Sequence, residues 1–244
     1  KLVTGVQTCA LPISILNTVV AQILKEFADE LESSEDVNQT IHKLIKQTVR
    51  ENGRIIFNGN GYDASWIREA QARGLSNLAS TPDALNHYLD DENVRVFKEN
   101  GVLDETECVS RYEIYLEKYY KTINIEVKTM LDMLRKDILP ASARFAERLT
   151  ESADSESRCG IEGYSTRTLS ETLRLMKQLN DDIDATEKTL ADRPAANYAR
   201  ACYYRDKILP LMAGMRKSAD ELEKIVDRQL WPIPTYLELL FGVD

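Results

Sequence analysis

The sequence predicts a mainly α-helical protein whose C-terminal part is an antiparallel bundle of long helices. Three observations carry this reading. Charged residues make up 29% of the chain, with Lys, Glu, Leu and Ala abundant, a balance that favours helix over sheet. Only 10 glycines and 7 prolines punctuate 244 residues. Apolar residues recur at steps of three and four along most of the chain, which is the period of one helix face.

Taken in order, Ile15, Val19, Ile23, Phe27 and Leu31 form a stripe over 14–32, with Ser14 placed to cap it. A second helix is expected over 35–51, stopped by Gly53. Arg54-Ile55-Ile56-Phe57 reads as a short strand or an extended segment, and Asn58-Gly59-Asn60-Gly61 as a turn using positive φ. A helix over 65–73 ends at Gly74. Thr81-Pro82-Asp83 reads as an N-cap, a first-turn proline and an acidic first turn. One further short helix runs from Glu92 to Asn100-Gly101.

Asp104 and Glu107 have the spacing of a capping box, and a single long helix is expected from Asp104 to about Ala153. Its stripe runs Tyr112, Leu116, Tyr119, Ile123, Val127, Met130, Leu134, Ile138, Ala141, Phe145, Leu149. The mean step of about 3.7 residues predicts a nearly straight helix bent at Pro140. Residues 154–164 read as the linker. A helix over 165–191 places Leu169, Leu173, Met176 and Ile183 inward. The last long helix, 194–230, turns Ala201, Tyr204, Ile208, Leu211, Met215, Ala219, Leu222 and Val226 inward and kinks at Pro210. Trp231-Pro232-Ile233-Pro234-Thr235-Tyr236 is too proline-rich for helix, and is expected to fold back over the bundle or dock on a neighbour.

The net charge of −9 comes without a basic stripe, which argues against nucleic acid as a partner. No apolar run is long enough to span a bilayer. Cys9, Cys108, Cys159 and Cys202 match no metal spacing, and free thiols in a cytoplasmic setting are the expectation. His42 and His87 stand alone on their helices, read as face residues rather than ligands. Glu113 and Glu117 share a helix face with Lys118 and Lys121 close by, a solvated charged face. The Asn58–Gly61 turn lacks the ending of a P-loop and the spacing of a dinucleotide fingerprint. No catalytic, cofactor-binding or metal-binding residue is assigned.

Residues 3–13, Val-Thr-Gly-Val-Gln-Thr-Cys-Ala-Leu-Pro-Ile, resemble the translation of a sequencing adapter, and the chain begins at Lys1 rather than Met. Residues 1–13 are therefore set aside from fold reasoning. They are too short and too polar for a signal peptide.

Longer runs carry a family resemblance. Arg54-Ile55-Ile56-Phe57-Asn58-Gly59-Asn60-Gly61-Tyr62 with Trp66, then Leu78–Leu85, Ser110–Glu117, Lys121–Glu126 and Asp137–Ala141 resemble type III glutamine synthetases. Tyr203-Tyr204-Arg205-Asp206, Ile208-Leu209-Pro210 and Trp231–Tyr236 extend the match in the same order. The resemblance implies that 14–103 is the C-terminal, incomplete end of a catalytic domain and that 104–244 is a long-helix extension with an aromatic and proline tail. It also implies a cytoplasmic ligase joining glutamate and ammonia with ATP and Mg or Mn through a γ-glutamyl phosphate. Such enzymes stack identical subunits in two six-membered rings, with active sites between neighbours. The metal carboxylates, nucleotide site and glutamate-binding arginines of the family lie upstream of the segment that begins near Ser14, so none is carried over. In type I relatives a tyrosine in the equivalent region is adenylylated; the residues around Tyr62 differ from that motif. The expectation is thus a structural and assembly segment without activity of its own, the alternative being a stand-alone helical scaffold.

Overall fold

The computed structural model describes residues 11–161, 163–234 and 236–242, without the side chains of 11, 12, 236 and 237. Residues 1–10 of the adapter-like stretch and Thr235 of the tail lie outside the described residues. Every regular element among the described residues is helical, so the architecture is mainly α.

The chain divides into two compact units, the first ending at Tyr115 and the second beginning at Leu116. The first unit opens with α1 (Leu11–Glu32), α2 (Val37–Glu51) and a 3₁₀ turn (Gly53–Ile55). It continues with α3 (Ala64–Ala72), α4 (Thr81–Leu85) and α5 (Asp91–Glu99). The helix α6 (Glu105–Met133) begins in it and runs into the second unit. There a π turn (Leu134–Ile138) joins α6 directly to α7 (Leu139–Arg158), followed by α8 (Tyr164–Ala191) and α9 (Asn197–Tyr203). A second π turn (Tyr204–Ile208) joins α9 to α10 (Leu209–Ile225), and α11 (Tyr236–Phe241) closes the described chain.

Capping chemistry sets several boundaries. Asp36 accepts the Gln39 N–H at 3.0 Å to start α2, and Asp63 accepts the Ser65 N–H at 2.7 Å to start α3. The capping box at α6 is reciprocal: the Glu107 N–H donates to Asp104 Oδ1 at 2.7 Å, and the Asp104 N–H to Glu107 Oε2 at 2.9 Å. Gly74, Gly101 and Gly160 take positive φ just beyond α3, α5 and α7. In each case the next residue bonds back five positions, closing the helix end.

Several boundaries differ from the sequence reading. Leu11–Ile13 belong to α1, since a proline in the first turn gives up no helical bond. Gly53 does not stop α2. Asn52 does, sending both its N–H and its side-chain amide to the Thr48 carbonyl at 3.0 Å. Arg54–Phe57 forms no strand: Gly53–Ile55 is a 3₁₀ turn, and Ile56 is extended. Ser80, not Thr81, caps α4. The supposed linker is helical through Arg158, because Glu156 is recruited to the next helix: its carboxylate accepts the Ser165 N–H at 3.0 Å and the Thr166 N–H at 3.3 Å. The last long helix is shorter than expected, Asn197–Ile225 with the π turn included.

In the second unit the cross-helix pairs reveal the bundle topology. Arg135 meets Glu187 while Glu156 meets Ser165 and Thr166, so α7 and α8 are antiparallel. Tyr203 meets Thr189 and Met215 meets Thr186, so the α9–α10 helix is antiparallel to α8. Tyr120–Asn197, Asn124–Tyr204 and Arg148–Asp227 keep nearly constant separations of 77, 80 and 79 residues. The first and third long helices are therefore parallel to each other, each antiparallel to α8.

The core of this unit includes Ile123, Val127, Leu134, Ile138, Phe145 and Leu149 from the first helix and Tyr204, Ile208, Met215 and Leu222 from the third. Between them α8 contributes Leu175, Leu179, Ile183 and Leu190. Of the residues expected on the α8 face, Ile183 is fully buried and Leu169 and Met176 pack against the core, whereas Leu173 is half-exposed. The face also runs through two fully buried threonines, Thr172 and Thr186. Each donates its hydroxyl to the carbonyl four residues back, at 2.8 and 2.7 Å, so burial leaves no donor unpaired. Trp231 folds back into this core and Ile233 packs on it.

Candidate functional site

The segment with the densest sequence signal, Arg54–Trp66, is held by stacking. Phe57 and Trp66 lie face to face with ring centroids 4.0 Å apart. The Arg73 guanidinium lies over Trp66 at 5.5 Å, donates to the Ile56 carbonyl at 2.9 Å and pairs with Glu69. Gly59 and Gly61 do not use positive φ. Instead Asn60 builds the turn, its side chain accepting the Tyr62 N–H at 3.1 Å. Gly59 is needed for closeness: a Cβ there would stand 2.4 Å from the Phe57 ring. Tyr62 is fully exposed at the tip of this braced loop.

The other sequence candidates are not brought together. His42 is exposed on α2, while His87 Nδ1 sits 3.0 Å from Asp90 just beyond α4. Glu117 pairs with Lys121 at 2.5 Å, the expected solvated face, and Glu113 is also exposed there. Cys159 is exposed, Cys202 partly buried and Cys108 fully buried. Burial pushes the Cys108 thiol up, away from the reactive thiolate. Its neighbour Tyr88 is pushed up to about 12, again chiefly by burial, and its hydroxyl makes no hydrogen bond of normal geometry. This pair is inert packing. Among the described residues no cluster of three or more His, Cys, Asp or Glu is arranged to hold a metal ion.

Sequence reasoning missed a polar seam in the second unit. Tyr204 donates to Asn124 Oδ1 at 2.8 Å, and Tyr120 donates to Asn197 Oδ1 at 3.1 Å. Arg200 lies over the Tyr120 ring at 5.0 Å and reaches the Pro194 carbonyl at 2.6 Å. All but the Arg200–Pro194 contact join residues 77–80 apart, so no local spacing announces them. They fix the pairing of the parallel helices and carry no acid–base chemistry.

What the arrangement offers is packing and bracing, and the family is read from relatives. Residues 40–157 match the model of the glutamine synthetase C-terminal domain. The type-3 glutamine synthetase of Dictyostelium discoideum is 33% identical over 248 positions, covering 96% of this chain and 34% of that protein. The chain belongs to the glutamine synthetase family. Its similarity is to the type III branch, as the ordered runs in the sequence indicated. A glutamine synthetase of Butyrivibrio fibrisolvens is 32% identical, covering 86% of this chain and 31% of its own length. One from Bacteroides fragilis is 29% identical, covering 96% and 34%. The chain spans about a third of the length of the curated glutamine synthetases it matches. Among the described residues no helix is long and apolar enough to cross a membrane.

Proposed function

We propose that this chain is the C-terminal structural and assembly segment of a glutamine synthetase whose full-length form makes glutamine from glutamate, ammonia and ATP in the cytoplasm. The observation that carries this is similarity to glutamine synthetases along 96% of the chain, joined to an interior built for packing. The apolar surface of the first unit supports an embedded role. In α1, Leu16, Val20 and Leu24 are 57–65% exposed, and in α2 Ile45 and Val49 exceed half. A helix apolar on several faces is a buried helix in its working setting.

On this reading ATP and the divalent cation, Mg or Mn, are held by parts of the enzyme outside the matched third. Among the described residues no group of three or more His, Cys, Asp or Glu is arranged to hold a metal ion, and no chemical step is assigned to them. The long helices and the Trp231 tail serve subunit contact in a ring of identical subunits. The test is phosphate release from ATP by the purified chain, made in a host lacking its own enzyme. The expected result is none; release dependent on both glutamate and ammonia would overturn the reading. The competing reading, a stand-alone helical scaffold, draws on the self-contained core of the second unit. An in-frame Met or stop codon immediately upstream of Ser14 in the genome would favour it.

A further inference from the structure

Four of the ten glycines follow an asparagine: Asn52-Gly53, Asn58-Gly59, Asn60-Gly61 and Asn100-Gly101. In such a pair the glycine amide nitrogen can attack the asparagine side-chain carbonyl, because no Cβ hinders its approach. The fold treats the four pairs differently. Asn52 is held by its amide nitrogen, which donates to the Thr48 carbonyl at 3.0 Å. Asn100 is held twice, donating to Gln22 Oε1 at 2.7 Å and to the Val96 carbonyl at 2.9 Å, and the Gly101 N–H is engaged with the Lys98 carbonyl at 3.1 Å. The Asn58-Gly59 pair is crowded by the Phe57 ring, which a Cβ on Gly59 would approach to 2.4 Å. Asn60-Gly61 is open. Asn60 Oδ1 accepts the Tyr62 N–H at 3.1 Å, while the Asn60 amide nitrogen and the Gly61 N–H make no hydrogen bond among the described residues. Both residues are exposed, and a Cβ built on Gly61 would meet nothing within 4 Å.

We propose that Asn60 is a self-modifying site, which deamidates through Gly61 in the folded chain. The Gly61 nitrogen loses its proton to solvent base and bonds to Asn60 Cγ, and the carbonyl electron pair moves onto Oδ1. The Tyr62 N–H already donates to that oxygen, so a donor stands where negative charge develops. Collapse breaks the Cγ–Nδ2 bond, and the nitrogen takes a proton from water and leaves as ammonia. Water then opens the cyclic imide at either carbonyl. One opening gives aspartate; the other gives isoaspartate, with the main chain rerouted through Cγ. In sum a water is consumed and an ammonia released, with no oxidant or reductant. Either product adds a negative charge two residues before the fully exposed Tyr62. Isoaspartate also lengthens the main chain by a methylene inside the turn that the Asp63 N–H closes onto the Asn60 carbonyl at 3.1 Å. The site does not depend on the glutamine synthetase reading.

The full chain is incubated at mildly alkaline pH, folded in one series and in urea in the other, and each Asn-Gly pair is followed by mass-spectrometric sequencing of its peptides. In the folded chain Asn60 should convert about tenfold faster than Asn52 or Asn100, and ahead of Asn58. In urea the four pairs lose their separate surroundings, and the preference should disappear. The Asn60 rate should rise with pH, since the attacking nitrogen must first lose its proton. Gly61→Ala, whose Cβ has open space, should slow conversion at Asn60 about tenfold and leave the other three pairs unchanged. An intact Asn60 after Asn52 or Asn100 has converted, faster conversion at Asn58, the same ranking in urea, or a Gly61→Ala chain that converts as fast as the parent would each overturn the proposal.

Discussion

At the scale of single residues, shape complementarity and hydrogen-bond satisfaction act separately in the bundle, and two substitutions distinguish them. Leu179 is fully buried between the other long helices. Leu179→Ala removes apolar contact and leaves a cavity, so a loss of about 2–5 kcal/mol is expected. Thr186 is as deeply buried, but its hydroxyl donates chiefly to the Asp182 carbonyl of its own helix at 2.7 Å and only weakly to Met215 sulfur at 3.7 Å. Thr186→Val keeps the volume and removes donor and desolvation together, so a change within about 1 kcal/mol is expected. Denaturant midpoints of the two variants check both. Glu156 gives a pH signature. The Ser165 backbone bond, with the further donors at Ser165 and Thr166, holds its carboxyl below the ordinary value of about 4.3. A group depressed in the folded state stabilises fully above its unfolded value and loses that effect as pH falls through the folded one. The thermal midpoint of Glu156→Gln should therefore lie below that of the parent at pH 7 and converge with it as the pH drops below about 4.

At the scale of elements, the two prolines inside long helices share one solution. Before Pro140 the Leu139 N–H bonds to the Leu134 carbonyl, and before Pro210 the Leu209 N–H bonds to the Tyr204 carbonyl, each five residues back. The wider turn takes up an extra residue and gives the proline ring room where a regular helix would clash. It also explains the stripe. The successive four-residue steps Met130, Leu134 and Ile138 exceed the 3.6-residue period, and the π turn keeps Leu134 and Ile138 buried despite that excess. Pro140→Ala should thus change stability by less than about 1 kcal/mol. Ala143→Pro, one turn later in regular helix, should cost about 3 kcal/mol or more; urea titration of both variants decides. Helix ends written in local chemistry, such as Asp104 with Glu107 or Gly74 and Gly101, were legible in the sequence. The α8 face was legible only in part: Leu169, Met176 and Ile183 face the core as expected, but Thr172 and Thr186 read as polar while their hydroxyls are paired within the helix. The Asn124–Tyr204 seam was illegible for another reason: its partners are brought together only by the bundle.

At the scale of the whole molecule, the two units differ in how well they cover their apolar residues. The second unit encloses a continuous core, whereas the first leaves Leu16, Val20, Leu24, Ile45 and Val49 largely open. The full chain should therefore self-associate with rising concentration, and residues 104–244 expressed alone should do so far less. Sedimentation velocity over a concentration series checks this; equal association of the two would place the adhesive surface on the bundle instead. The long-helix architecture could be read from periodicity alone, since each stripe is local. The openness of α1 and α2 could not, because a sequence stripe does not say whether its partner is present.

The Glu156 bridge also bears on the order of events in folding. It links positions 9 and 10 residues apart, while the contacts between the parallel helices link positions near 80 apart. Closing a short loop loses less chain entropy than closing a long one. The α7–α8 hairpin is thus the natural nucleus, and the third helix docks late. In stopped-flow kinetics, Glu156→Gln should mainly slow refolding, whereas Asn124→Ala, which breaks the Tyr204 contact, should mainly speed unfolding. The reverse assignment would mean that the parallel pair forms first and that the hairpin closes onto it.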